Sequence, residues 1–328
     1  MTLEAELRAA LDAKAKPVGS LGRLEDLAVQ VGLVQGTRQP VVRNPLVLVF
    51  AGDHGAVAAG VSAFPQAVTA AMVGLYLDGR AAINILAGLS GARVMVVDAG
   101  VAAELEPRIG LVPAKVAPGT QDWTQGPAMT ADQVQQCFDS AAAIIEEIAE
   151  DGTTVIALGE MGIGNTASAA LLVHKVAGLA LQVGRGAGLD EEGRGRKQAL
   201  VEAASAGVAA RLGPSEALAA FGGFEIAMLT AAIVQAARLG IVCIVDGVIV
   251  TAAAVLAHAI EPGCAAACVF AHRSAESGHD AMLAHLGARP LLDLGMRLGE
   301  GSGAALAIPL LQAATRLLEQ MADLADLT

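Results

Sequence analysis

Runs of apolar, largely β-branched residues alternate along the chain with longer Ala/Leu-rich stretches of helical spacing. This alternation predicts a mostly parallel sheet with helices on both faces, because strands buried on both sides read as continuous apolar runs. Predicted strands occupy residues 46–50, 93–97, 153–158, 241–245 and 267–270, with a weaker one at 111–116. Several end in Gly, Asp, His or Glu: AGDHG, DAGV, LGEMGIGNT, VDGV and FAHRSAE. In an open α/β sheet, that carboxyl edge is where ligands bind. Residues 1–40 and 304–328 read as helices outside the alternation, with KPVGSLGRLE as a turn between the first two. They are expected to pack as a small helical domain beside an α/β catalytic domain over residues 41–303. The Gly-rich stretch from Gly184 to Gly195 reads as a long functional loop.

Composition narrows the classes. Apolar residues make up 54% of the chain but aromatics only 2%, so the excess is small side chains suited to tight helix-on-sheet packing. No uninterrupted apolar run reaches the roughly 18 residues of a membrane span. The most apolar region, residues 226–257, is broken by Arg238 and Asp246, and the N-terminus mixes charges without the apolar core of a secretion signal. A net charge of −12 repels nucleic acid and anionic lipid, so neither nucleic acid nor a membrane is an expected partner. Cys137, Cys243, Cys264 and Cys268 lack zinc or disulfide spacing and read as core residues of a reduced, cytoplasmic protein.

Candidate chemistry begins at Gly159-Glu160-Met161-Gly162-Ile163-Gly164-Asn165-Thr166, between a predicted strand and a predicted helix. The spacing approaches a P-loop, but Asn165 stands where the phosphate-binding lysine belongs. Free amides at the helix start still suit one phosphate. A purely structural Gly-rich turn would explain the glycines but not Glu160 among them. A second cluster, Gly184-Arg185-Gly186-Ala187-Gly188, is broken as a dinucleotide fingerprint by Leu189. Lys197 beyond it is a possible phosphate partner, although on the residues alone a solvated helix lysine is the better reading.

Asp246 follows a strand but has no adjacent acid and no phosphate loop, which argues against a metal-pyrophosphate donor. His272, Glu276 and His279 fall at i, i+4 and i+7, one face of a helix, but Arg273 opposes a cation there. They read as a polar cluster more than a metal site. Asp53-His54 reads as a strand-end pair that orients a loop. In Arg297-Leu298-Gly299-Glu300-Gly301-Ser302-Gly303, a carboxylate between glycines can approach a ligand closely, while Ser302 could cap the following helix.

Together these segments resemble the nicotinate-nucleotide:dimethylbenzimidazole phosphoribosyltransferase family over nearly the whole chain. The resemblance is carried by KPVGSLGRLE, AGDHGAVAAGVSAFPQAVTAAMV, GPAMT, LGEMGIGNTASAA, GGFEIAML, AHRSAESGH and MRLGEGSGAALA, in that order. It implies a Rossmann-like six-stranded sheet flanked by helices, a small helical domain built from both termini, and a homodimer. The implied activity is transfer of phosphoribose from nicotinate mononucleotide to 5,6-dimethylbenzimidazole or a related base, without cofactor or metal. The resemblance makes Glu300 the catalytic base. It sets Glu160 and the amides of Gly162 and Ile163 against the nucleotide, with Gly186, Lys197 and Ser274 near its phosphate or ribose. Phe64, Met72, Met161 and Leu298 would surround the acceptor. Two other readings stay open, a non-catalytic mononucleotide-binding protein and an NAD-dependent dehydrogenase.

Overall fold

The computed structural model describes residues 1–186 and 188–327; Ala187 of the second glycine cluster and Thr328 lie outside the described residues. Six parallel strands form one sheet: β1 (Leu46–Gly52), β2 (Arg93–Gly100), β3 (Leu111–Pro113), β4 (Val155–Met161), β5 (Val242–Val245) and β6 (Cys268–Phe270). Their spatial order is β3-β2-β1-β4-β5-β6, the doubly wound order whose direction reverses between β1 and β4. All six expected strands are present. Three run past the apolar stretch to Gly52, Gly100 and Met161, because parallel neighbours continue to pair there. β3 stops early at Pro113, which has no N–H to continue the ladder and is tolerated at this edge.

Twelve α-helices are described. α1 (Leu3–Asp12) and α2 (Arg23–Val34) precede the sheet, and α3 (Ala67–Leu77) and α4 (Ala82–Gly88) follow β1. α5 (Ala131–Glu150), α6 (Asn165–Ala177), α7 (Glu191–Ala206), α8 (Pro214–Phe221) and α9 (Phe224–Arg238) lie between β3 and β5. α10 (Val248–Ile260), α11 (His279–His285) and α12 (Ser302–Gln320) complete the chain. Strand alternation sends Leu46, Leu48 and Phe50 into a core shared with helices α5, α6, α8, α9 and α10. The intervening Val47, Val49 and Ala51 join α1–α4 and α12 on the other face. The chain ends meet directly: Lys14 Nζ donates to the Met321 carbonyl at 2.9 Å and pairs with Asp323 at 3.0 Å. α12 packs on α2 and on the sheet, so the terminal helices share a core with β1, β4 and β5.

Two local expectations change. Gly193 and Gly195 belong to α7, because the Asp190 carboxylate accepts the Gly193 N–H at 2.7 Å and starts a helix inside the glycine-rich stretch. Residues Ala67–Gly88 together have the hydropathy of a membrane span. The charged turn through Asp78 and Arg80 splits them into helices of 11 and 7 residues, too short to cross a bilayer.

Candidate active site

A cavity of about 460 Å³ opens over the carboxyl ends of β4, β5 and β6. Glu160 and Met161 reach it from β4, Gly162 and Ile163 from the turn into α6, and Leu298 and Glu300 from the loop before α12. Phe64 and Met72 form its apolar side, while Gly186 and Ser274 enter from the polar end. Ten of the eleven residues expected at the site therefore line one cavity. Lys197 sits just behind it. Its Nζ donates to Thr166 Oγ1 at 2.6 Å, and Thr166 lines the wall.

Lys197 is 0% exposed, which overturns the solvated-lysine reading. Burial lowers its pKa to about 8, against a smaller upward pull from Glu276. A helix lysine looks solvated in sequence, but here α7 turns it inward beneath Gly186, whose left-handed backbone (φ 55°) crosses the Thr166–Lys197 pair. Ser274 is buried and donates its backbone N–H to His279 Nδ1 at 2.8 Å; His279 Nε2 lies 2.9 Å from Thr251 Oγ1. The imidazole is thus committed as a neutral brace, its pKa lowered to about 4 chiefly by burial. The helical face proposed for His272, Glu276 and His279 does not exist, because α11 begins only at His279 and residues 272–278 form a loop.

Glu300 occupies an unusual backbone. Gly299, Glu300 and Gly301 all have left-handed φ, at 82°, 64° and 84°. Glutamate seldom adopts such a conformation, and strain of this kind persists where surroundings enforce it. Close packing leaves no alternative: a Cβ on Gly159 would lie 2.5 Å from the Glu300 carbonyl oxygen, and one on Gly299 would collide with Glu160 Oε1. The turn therefore rests on β4 and brings two carboxylates into one cavity. Ser302 is not the helix cap; its hydroxyl donates back to the Gly299 carbonyl at 2.7 Å.

The two carboxylates differ in their surroundings. Glu160 is pushed up to about 8 by burial, reinforced by Asp246, Glu225 and Glu300 and opposed by Asn165, whose Nδ2 donates to Oε2 at 2.5 Å. Burial also raises Glu300, with Asp246 adding to the effect and the Tyr76 hydroxyl opposing it. Glu300 Oε2 has no hydrogen-bond partner of good geometry among the described residues. Two neighbouring carboxylates resist simultaneous ionisation. Burial shifts both carboxyls toward the protonated form, and Glu300 Oε2 is the oxygen left without a partner.

Behind the cavity, at the carboxyl ends of β1 and β4, buried polar side chains pair with one another. His54 Nε2 lies 2.6 Å from Glu225 Oε1 and His54 Nδ1 3.1 Å from Ser168 Oγ, all buried. Asp53 instead accepts the Ala102 N–H at 2.8 Å. The Ile163 amide is also occupied, donating to Thr69 Oγ1 at 3.3 Å. Sequence reasoning passed over Tyr76, although a chain with one tyrosine that buries it beside a carboxylate offers a signal. It also set Asp246 aside, although Asp246 ends a strand at the ligand edge.

A family model described as "Phosphoribosyltransferase" matches residues 1–327. A nicotinate-nucleotide–dimethylbenzimidazole phosphoribosyltransferase of Dechloromonas aromatica (strain RCB) is 51% identical, over 98% of this chain and 94% of the relative. The protein of that name from Ralstonia nicotianae is 52% identical, over 99% and 93% respectively. Among solved structures, CobT from Thermus thermophilus aligns with a TM-score of 0.94 at 41% identity, covering 99% of this chain and 98% of the other.

Proposed function

The chain belongs to the nicotinate-nucleotide–dimethylbenzimidazole phosphoribosyltransferase family, and from that premise we propose that Glu300 is its catalytic base. The reaction transfers phosphoribose from nicotinate mononucleotide to 5,6-dimethylbenzimidazole or a related base. The product, α-ribazole 5′-phosphate, supplies the nucleotide loop of cobalamin. One observation carries the assignment of roles: Glu300 is held on a strained turn at the cavity, its carboxylate incompletely bonded, beside a second carboxyl that burial shifts toward the protonated form.

One benzimidazole nitrogen attacks C1′ of the ribose as the bond from C1′ to nicotinate breaks. The departing electron pair neutralises the pyridinium, so the leaving group needs neither a proton nor a metal. Attack makes the other ring N–H acidic, and Glu300 accepts that proton. Approach from the face opposite nicotinate inverts the β-nucleotide to an α-riboside. Met72, Met161, Phe64 and Leu298 form the flat apolar walls for the acceptor, and conformable Met side chains suit a planar ring. Lys197, Gly186 and Ser274 hold the donor phosphate and ribose, with Glu160, Gly162 and Ile163 against the nucleotide.

The terminal helices act as a small helical unit, and two copies of the chain associate in the cytoplasm as a homodimer. Exposed Ile85, Leu89 and Ile109 supply apolar surface for such an association. A dehydrogenase reading is disfavoured by the family to which the chain belongs. Incubation with nicotinate mononucleotide and dimethylbenzimidazole, followed by chromatography, tests the function. Nicotinate and α-ribazole 5′-phosphate should appear in equal amounts. Recovery of both substrates unchanged would leave only a mononucleotide-binding protein.

A further inference from the structure

We propose that Asp246, backed by His272, is a positioning residue for the reaction: it clamps the Gly299–Gly301 turn and so fixes where the Glu300 carboxylate points. The proposal rests on Glu300 as the proton acceptor. Asp246 follows β5 at the ligand edge and is 1% exposed. Its Oδ2 accepts the Gly301 N–H at 3.2 Å and its Oδ1 accepts the Ala304 N–H at 3.0 Å. One bond therefore grips the residue immediately after Glu300, and the other grips the first turn of α12.

No residue of that turn does this work locally. The N-cap of α12 is Gly301, without a side-chain bond to the free amides, and the first turn contains no acid. Those amides need an acceptor, and Asp246 brings one from across the sheet. Three successive left-handed residues, the middle one a glutamate, require outside support to persist.

His272 completes the clamp. It is 1% exposed, its Nε2 lies 3.6 Å from Asp246 Oδ1, and neither ring nitrogen has a hydrogen-bond partner among the described residues. The ring is pressed against α12, where a Cβ on Gly303 would collide with His272 Cδ2. His272 thus wedges Asp246 against the amides it accepts.

A neutral side chain can cap a helix; burial raises the pKa of Asp246, while His272 and the Gly301, Gly303 and Ala304 amides favour its charged form. Around Asp246 stand His272 from the loop after β6, Glu160 from β4, and the Gly301, Gly303 and Ala304 amides with Glu300 from the α12 end. Around Glu300 stand Tyr76 from α3, Asp246 and Glu160 from β4. When ionised, Asp246 discourages ionisation of Glu300 and so makes it a stronger base. Asp246 therefore acts through geometry and through charge.

The test is a double-mutant cycle of Asp246→Asn and Glu300→Gln, with kcat and KM measured from pH 4 to 9 and folding followed by circular dichroism. Asparagine keeps one of the two acceptors and loses the charge. Asp246→Asn should lower kcat roughly ten- to a hundredfold with little change in KM for nicotinate mononucleotide. It should move the acid limb of kcat, set by Glu300, to lower pH, and add nothing further in the Glu300→Gln background. A helix cap with no link to catalysis would leave that limb in place. Asp246→Ser, which offers the amides a smaller acceptor, is measured alongside and should behave like Asp246→Asn should the latter misfold. With Glu300→Gln strongly impaired, an unmoved limb or a full multiplicative loss in the double mutant would overturn the role of Asp246 and leave Glu300 standing. Near-normal turnover by Glu300→Gln alone would instead remove the base, and the proposal with it.

Discussion

Replacing Lys197 with methionine should make the empty protein more stable and the enzyme worse. The lysine is fully buried, and burial brings its ammonium from the ordinary 10.5 down to about 8. At about 1.4 kcal/mol per pH decade, holding that charge costs the empty fold about 3 kcal/mol at neutral pH. Between pH 8 and 10.5 the unfolded chain binds the proton that the folded chain has released, so stability rises with pH through that window. Methionine fills a similar volume without charge, though it leaves Thr166 Oγ1 without its 2.6 Å donor. The melting temperature of Lys197→Met should therefore exceed that of the wild type by a few degrees at pH 7, and the gap should close near pH 10. Binding moves the other way. Loss of a charge-assisted hydrogen bond to phosphate is worth roughly 1.5 to 3 kcal/mol, or about a 10- to 150-fold rise in KM for nicotinate mononucleotide, with KM for the base unchanged. Thermal scans across pH and initial rates against each substrate read both effects. A variant that melts below the wild type and keeps its KM for the mononucleotide would refute this account of the buried charge.

Gly159→Ala should lower kcat by roughly tenfold or more, because its Cβ would sit 2.5 Å from the Glu300 carbonyl and push the catalytic turn off β4. An unchanged kcat in steady-state assays would show that the turn tolerates displacement. For His54, burial opposes the charged form, but Glu225 at 2.6 Å outweighs it and the pKa is raised. The stabilisation is complete below the unfolded value near 6.5 and is lost as pH rises through the higher folded value. The excess in denaturant midpoint of the wild type over His54→Gln should shrink as pH rises above about 6; a gap independent of pH would exclude His54 as the source.

Much of this was legible in the sequence because the signals are local. Continuous β-branched runs located all six strands, and glycine flanked by acids marked the ends of β1, β4 and β5. The site residues are those the family resemblance implies: Glu160, Met161, Gly162, Ile163 and Ser274 lie in strand-end motifs, whereas Phe64, Met72, Gly186, Leu298 and Glu300 reach the same cavity from loops and from α3. What escaped depends on contacts between distant segments. Lys197 lies in a polar helix whose sequence gives no sign that one lysine points inward, and its burial is decided by Thr166 and Gly186. Asp246 looked like half of a missing acid pair, whereas its partners are amides 55 and 58 residues away. The His272–Glu276–His279 spacing matched a helix by number alone, because residues 272–278 are held as a loop by the Ser274–His279 and His272–Leu292 contacts.

Single-turnover rates of wild type and Glu300→Gln test most directly whether Glu300 takes the acceptor's proton. The substrates are nicotinate mononucleotide with dimethylbenzimidazole and, separately, with an N-methylated benzimidazole that has no ring proton to lose. The amide preserves size and pose but accepts no proton, so the rate with dimethylbenzimidazole should fall by roughly two to four orders of magnitude while the N-methylated acceptor shows little difference between the two enzymes. Near wild-type turnover of dimethylbenzimidazole by Glu300→Gln would contradict the account and turn attention to Glu160.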